Sequence, residues 1–204
     1  MRNGWPTTGG ARAVLAVLLV AATAGCTWAS SSARSDGTPR VADPPLPATT
    51  TLPRSPRPTE IPLDTVDPCG VLTPDQRRQL SLDGTPTPYA DSRFANARAC
   101  SLRDGAHGLV ARLAVVTDQG IEVWHDDTAQ VDAEGVQVNG FPALVVRTPG
   151  QETFCNVEVD MADGQFLDVL LRDGGNQKPP PRDELCRGAR RIAEAAVASL
   201  RATR

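Results

Sequence analysis

The densest group of potentially reactive side chains is the run Trp-His-Asp-Asp at residues 124–127. A histidine followed by two carboxylates, His125 with Asp126 and Asp127, offers nitrogen and oxygen ligands for a metal ion. A complete site needs more ligands, and the chain has one other histidine, His107, in the sequence Asp-Gly-Ala-His-Gly. Two interpretations stay open: the run that begins at Trp124 is a solvated loop, which we favour, or it is part of a ligand site that His107 completes.

Signatures of catalysis are otherwise missing from the sequence. It contains no GxSxG, HExxH, Walker or GxGxxG motif. Two histidines give few candidates for general acid–base catalysis, and the adjacent acids Asp183 and Glu184 are typical of a helix N-terminus. Aromatic residues make up 4% of the chain, too few to favour a sugar-stacking cleft, and Trp124 is expected in the core. We therefore predict no catalytic residue, no metal and no cofactor, with a hydrolase as a remote alternative.

The first cysteine, Cys26, ends the stretch VLLVAATAGC near the start of the chain. Arg2 lies before an apolar run and Arg12 lies near its start. Small residues precede Cys26, and the whole arrangement is typical of a secretory signal. The run is shorter than the roughly 20 residues of a membrane-spanning helix. A cysteine directly after Ala-Gly resembles the bacterial lipobox, although Thr23 stands where Leu, Val or Ile is more usual. We predict a signal peptide at residues 1–25 and lipid on Cys26, which would hold the protein at the extracytoplasmic face of the cell membrane; plain secretion is the alternative.

The segment after Cys26 has the composition of a tether. Residues 27–65 are polar, with three consecutive serines followed by many prolines, and such a stretch buries too little apolar area to fold. We predict a lipidated cysteine and disordered tether at residues 26–65 and a single domain at residues 66–204. Loss of Arg2 and Arg12 with the signal lowers the formal net charge from −3 to −5, which argues against nucleic acid as a partner.

Several elements of the domain can be read from local patterns. Thr73 followed by Pro74 predicts the start of a short helix that ends at about Leu82. RACSLRD and GLVARLAVV read as strands around an exposed turn that contains His107, and TFCNVEVDM-ADG-QFLDVLL reads as a hairpin. VQV-NG-FPALVV reads as another hairpin, in which Pro142 requires an edge or a bulge, while GIEVWHDDTAQ is ambiguous.

The last element is a long helix. Its apolar positions follow helical spacing: Leu185, Ala189, Ile192, Ala196 and Leu200. Arginines stand between them, at Arg187, Arg190 and Arg191, and they form either a solvated helix surface or an anion-binding patch. The order helix, several strands, helix predicts an α+β fold, in which N- and C-terminal helices pack on one face of a meandering antiparallel sheet.

Four cysteines remain for the domain: Cys69, Cys100, Cys155 and Cys186. Their even number in an exported chain predicts two disulfides, since there is no CxxC and the spacings match no zinc site. Three connectivities are possible. We favour Cys69–Cys100, which would join the first helix to the next strand, and Cys155–Cys186, which would dock the last helix. A bridge from Cys69 to Cys186 is the alternative.

These features together resemble a known family. DPCGVLT before a short helix, RACSL, NGFPAL, FCNVEVDM and the final LCRGARRIAEAAVASL resemble the DUF3558 family of actinobacterial lipoproteins. The resemblance covers roughly residues 67–200, with the lipobox and Pro-rich tether in front. It implies an exported, lipid-anchored domain and names no catalytic residue.

The function that we expect is a non-enzymatic binding or accessory module of the cell envelope. Its partner would be another envelope protein or a small ligand held between sheet and helices. The alternative is an extracytoplasmic sensor or regulatory lipoprotein that acts on a membrane signalling protein. A pocket with convergent polar groups would favour a small ligand, whereas a contiguous exposed apolar patch would favour a protein partner.

Overall fold

Two antiparallel meanders, joined by one long crossing connection, form the sheet of this protein. In the computed structural model, which describes residues 56–203, seven strands pair in the order β1-β2-β3-β7-β6-β5-β4. The strands are β1 Thr87–Asp91, β2 Ala97–Asp104, β3 Leu109–Val116, β4 Asp132–Val138, β5 Phe141–Arg147, β6 Phe154–Ala162 and β7 Gln165–Asp173. The helices are α1 Pro74–Gln79 and α2 Arg182–Ala202, with short 3-10 helices at Ser92–Phe94 and Ile121–His125. The predicted α+β class is confirmed.

Local turn chemistry sets the register of the hairpins. The turn between β4 and β5 is Asn139-Gly140, with φ values of 49° and 87°, as a two-residue hairpin turn requires. Pro142 does not lie on an edge strand, because β5 lies between β4 and β6. Its missing N–H is nevertheless tolerated, since the ladder between β5 and β6 begins at the next residue, Ala143.

The short helix α1 begins where the sequence predicts and ends earlier. Thr73 caps it: its side chain accepts a hydrogen bond from the Gln76 backbone N–H, and Oε1 of the Gln76 side chain accepts one from the Thr73 N–H. The helix ends at Gln79 instead of Leu82, because Ser81 adopts a positive φ of 59°. That turn allows Leu82 to be buried.

The long helix α2 covers one face of the sheet and forms the main core with it. All five apolar positions predicted for this helix are buried. They pack on inward residues of the central strands, among them Leu113, Val157 and Val169. Gly188 lets α2 approach closely, because a Cβ at this position would lie 2.3 Å from a methyl group of Leu171.

The connection between β3 and β4 covers part of the opposite face. β3 is in the middle of the sheet and β4 is at its edge, so the chain crosses β7, β6 and β5 between them. On the way it forms the 3-10 helix Ile121–His125, whose Ile121 joins Phe94 and Phe166 in a second core cluster. Both sheet faces are therefore partly buried, which explains why β7 carries apolar residues on both of its faces, such as Phe166 on one and Leu167 on the other.

Ordered structure begins before the boundary predicted at residue 66. Ile61 and Leu63 are buried, and the Ile61 N–H donates to the Met161 carbonyl at 2.8 Å. Each fully buried aliphatic side chain contributes about 1.5–3 kcal/mol, which offsets part of the entropy cost of ordering this segment. For residues 56–65 the prediction of a disordered tether is therefore wrong.

The favoured disulfide pairing is confirmed. Cys69 is joined to Cys100 with a Cα–Cα distance of 5.1 Å, and Cys155 to Cys186 with 5.0 Å. The first disulfide joins β2 to the segment before α1, and the second joins β6 to the N-terminal part of α2.

The described residues belong to one compact unit, Thr50–Arg204. The predicted signal peptide, Cys26 and the tether up to residue 55 lie outside the described residues. Within residues 56–203, neither helix combines the length and the hydropathy needed to cross a membrane.

Candidate functional site

The side chains of the Trp-His-Asp-Asp run lie in different environments and do not form a site. Trp124 is half-buried and packs edge-on against Phe94, with ring centroids 6.2 Å apart. His125, Asp126 and Asp127 are exposed. Asp126 is used locally, since its Oδ1 accepts hydrogen bonds from the backbone and hydroxyl of Thr128 at 2.8 and 2.6 Å. Among residues 56–203 no group of three or more His, Cys, Asp or Glu could hold a metal ion.

His107 lies in the exposed turn between β2 and β3 and is oriented by a buried acid. Its Nδ1 lies 2.7 Å from Oδ2 of Asp104. The other oxygen of Asp104 accepts the backbone N–H groups of Ala106 and His107 at 2.9 and 2.8 Å. The carboxylate therefore holds both the turn and the imidazole in place.

This turn forms one wall of a cleft of about 940 Å³. The other walls are the end of α1, the segment between β7 and α2, and the first turns of α2. Its apolar lining consists mainly of Leu80, Leu82, Leu109, Leu171 and Ile192. Its polar lining includes Ser81, His107, Asn176, Lys178, Glu184 and Arg191. The cleft therefore combines an apolar surface with convergent polar groups, as small-molecule sites do.

A hydrogen-bonded loop gives the cleft its shape. Asn176 Nδ2 donates to the carbonyl of His107 at 3.0 Å and to Oδ1 of Asp173 at 2.6 Å. Desolvation tends to raise the pKa of the Asp173 carboxyl, but hydrogen bonds from the Asn176 side chain and from neighbouring backbone N–H groups outweigh it and lower the pKa. The β7–α2 segment is thus fastened to the β2–β3 turn across the cleft.

Two cations of the cleft lining are available to a negatively charged group. Within the described residues, neither Lys178 nor Arg191 forms an ion pair with a carboxylate within 4 Å. Glu184 is the exposed acid of the lining, whereas Asp104 is committed to His107 and its own turn. Two uncommitted cations thus face one exposed carboxylate.

Ser81 shares the cleft with the Asp104–His107 pair, which raises the question of catalysis. A buried acid that orients an imidazole is the arrangement of a general base. Ser81 makes no hydrogen bond to His107 in the described structure. A nucleophile–base contact, which an activated serine requires, is therefore not formed.

The arginines of α2 have separate environments. Arg190 donates to Oε1 of Glu194 and to the carbonyl of Gln137, both at 3.2 Å. Arg191 lines the cleft and Arg187 is exposed. Of the two sequence interpretations, a solvated surface describes Arg187 and Arg190, and an anion-binding role is open to Arg191.

Sequence reasoning missed a buried polar row on the sheet face opposite α2. It consists of Arg112 on β3, Asp168 on β7, and Asn156 and Glu158 on β6, all of them buried. Arg112 Nε and Nη2 donate to the two oxygens of Asp168 at 2.7 Å each. Asn156 adds a third hydrogen bond to Asp168 at 2.6 Å.

Glu158 is the unusual member of this row. It lies directly opposite Asp168 in the β6–β7 ladder and is fully buried, and within the described residues neither carboxyl oxygen has a hydrogen-bond partner. Burial raises the pKa of Glu158 well above its ordinary range, and the nearby carboxylate of Asp168 raises it further. The polar alternation Asn-Val-Glu-Val-Asp on β6 is typical of a solvated face, and no local signal shows that this face is covered.

Comparison with protein families gives one match for this chain. A model of the family described as "Protein of unknown function (DUF3558)" matches residues 21–199. Comparisons with curated proteins and with solved structures found no match.

Proposed function

The chain belongs to the DUF3558 family, and on this premise we propose that it is a lipid-anchored, extracytoplasmic module that binds a small ligand and has no catalytic activity. The observation that carries this proposal is the cleft between the β2–β3 turn and α2, with its apolar lining and its convergent polar groups. The anchor and the binding activity rest on different observations and are tested separately.

Support for the anchor comes from the sequence and from the cysteines of the domain. The family match begins at residue 21 and so includes Cys26 together with the small residues before it. Two disulfides are typical of proteins that fold outside the reducing cytosol.

Support for a small ligand, in preference to a protein partner, comes from the surface. Within the described residues, Tyr89 is the exposed large hydrophobic side chain, with 39% of its surface accessible. A docking surface for a stable protein partner is normally a contiguous apolar patch. The cleft, by contrast, suits an amphiphile whose apolar part lies on the leucines and whose anionic group meets Lys178 and Arg191.

The binding proposal is tested with octanoate and its neutral analogue octanamide. We expect octanoate to give saturable NMR shifts in the amides of Gly105, His107 and Gly188, in the secreted Cys26→Ser form of the chain. Arg191→Gln should weaken octanoate binding by about two- to fivefold, the contribution of a solvent-exposed ion pair, and leave octanamide unaffected. Arg187→Gln, on the same helix outside the cleft, is the matched control.

Two outcomes would contradict the binding proposal. If the shifts do not saturate, or if they occur in residues outside the cleft, the cleft is not the binding site for amphiphilic anions such as octanoate. If the native protein hydrolyses p-nitrophenyl octanoate and His107→Ala or Ser81→Ala loses this activity, the protein is an enzyme. The Asp104–His107 pair would then act as its general base.

The anchor is tested by changing the lipidated residue. Cys26→Ser should move the protein from the membrane fraction to the soluble fraction or block its processing, because each buried lipid methylene contributes about 0.8 kcal/mol to membrane attachment. Ser32→Ala, in the same segment, should leave the protein on the membrane. Intact mass is the deciding measurement, and an unmodified mature thiol at Cys26 would disprove the anchor.

A further inference from the structure

Three arginines converge on a small cavity on the sheet face opposite α2. The cavity has a volume of about 260 Å³ and is lined by Arg93, Arg112 and Arg172 together with Tyr89, Ser101, Val110 and Leu170. No carboxylate belongs to this lining. The cavity is therefore surrounded by hydrogen-bond donors and by positive charge.

Arg112 is the deepest of these groups, and its bonding is incomplete. Its side chain is 5% exposed, and its Nε and Nη2 are taken by Asp168. The remaining nitrogen, Nη1, lies 3.3 Å from Oδ2 of Asp91 but forms no hydrogen bond in the described structure. A buried guanidinium nitrogen without a hydrogen bond is costly.

The neighbouring charges leave the cavity positive. Arg93 is paired with Asp91, through Nε at 3.0 Å and Nη2 at 2.9 Å. Arg172 donates to the carbonyl of Asp173 at 3.2 Å, and no carboxylate within 4 Å pairs with it among the described residues. Three guanidiniums thus face two buried carboxylates, Asp91 and Asp168, while the Asp173 carboxylate, which interacts electrostatically with Arg172, lies outside the lining.

Glu158 does not restore the balance. It is adjacent to Asp168, but burial raises its pKa well above the ordinary range, which disfavours a third negative charge beside these arginines.

We propose that this cavity is an oxyanion site, which binds the phosphate or carboxylate group of a small ligand. Guanidinium groups match both groups with paired hydrogen bonds. The hydroxyls of Tyr89 and Ser101 add neutral donors. Burial is the largest effect on the phenol and raises the pKa of Tyr89 to about 12, so the phenol keeps the proton that it donates.

The site is independent of the cleft. The cleft lies on the α2 side of the sheet, whereas the oxyanion site lies on the other side. A negative binding result for one site therefore does not contradict the proposal for the other. Variants of one site also serve as controls for the other.

The probes are inorganic phosphate and acetate, each titrated against chloride at constant ionic strength. We expect the Nε–Hε NMR signals of Arg93, Arg112 and Arg172 to shift saturably with at least one probe. Arg172→Gln should weaken that binding by about tenfold, as loss of a charge-assisted hydrogen bond implies, and Tyr89→Phe should weaken it less. Arg187→Gln on α2 should have no effect.

Vesicles distinguish the source of the anion. If the protein sediments with phosphatidylglycerol vesicles but not with phosphatidylcholine vesicles, and this sedimentation depends on Arg172, the ligand is a lipid headgroup. If the soluble probe binds and the protein does not sediment with vesicles, the ligand is a soluble oxyanion. Shifts that do not saturate with either probe, or equal losses in Arg172→Gln and Arg187→Gln, would overturn the proposal.

Discussion

Replacing Cys155 and Cys186 by serine should lower the free energy of unfolding by about 3–4 kcal/mol. The cross-link spans 31 residues, and the chain-entropy model gives this cost for a loop of that length. Removing both disulfides costs about twice as much, which rivals the whole stability of a typical domain, about 5–15 kcal/mol. Urea unfolding followed by tryptophan fluorescence, on the Cys26→Ser background, measures the effect.

The other disulfide provides a matched comparison. Cys69–Cys100 also spans 31 residues, so chain entropy alone predicts equal costs for the two pairs. Cys155 and Cys186 are both buried, whereas Cys69 is half-buried. We therefore expect the larger cost for the second pair, with faster amide exchange in α2. A cost below about 1 kcal/mol for either pair would contradict the chain-entropy account.

Glu158→Gln makes the domain more stable at neutral and alkaline pH and removes a pH dependence. In the unfolded chain this carboxyl titrates near its ordinary value of 4.5, whereas in the fold its pKa is raised. Above about pH 4.5 the unfolded state releases the proton first, so the stability of the native protein falls as the pH rises until the folded carboxyl also ionises. The stability difference between variant and native protein should grow by up to about 1.4 kcal/mol per pH unit.

Urea unfolding from about pH 4 to about pH 8 tests this expectation. Glu184→Gln, on the exposed first turn of α2, is the control and should show no comparable slope. A flat difference for Glu158→Gln would mean that Glu158 is ionised in the fold. The guanidiniums around the oxyanion site would then face three buried carboxylates, Asp91, Asp168 and Glu158, which would weaken the binding of an anion there.

The parts of the fold that the sequence predicts correctly are those fixed by neighbouring residues. Asn139-Gly140 sets a hairpin because both residues accept a positive φ. Thr73 with Gln76 starts α1 through a capping box, and the spacing of apolar residues in α2 identifies its buried face. The cysteine pairing could be predicted because each cysteine lies beside an element that must dock.

The parts that were missed depend on distant segments. β1, Thr87–Asp91, is short and mostly exposed, and it becomes a strand by pairing with β2. The pairing of β3 with β7 brings Arg112 to Asp168, two residues far apart in the chain. The burial of Glu158 depends on packing over the second sheet face, which no pattern in β6 reveals. The cleft likewise joins α1, a turn and α2 from separate parts of the sequence.

The segment that precedes the first disulfide determines how the domain responds to mechanical load. Arg57 binds Asp160 at 2.8 Å, and the Leu63 N–H binds Oε1 of Gln165 at 2.6 Å, so this segment is clipped to the β6–β7 hairpin in the middle of the sheet. A force applied through the chain before residue 56 is carried first by this clip. Once the clip yields, peeling proceeds only to Cys69, where the covalent bond to Cys100 takes the load. Under tension we expect the segment before Cys69 to be released first, by a short and fixed length, before the load reaches β2 through Cys100.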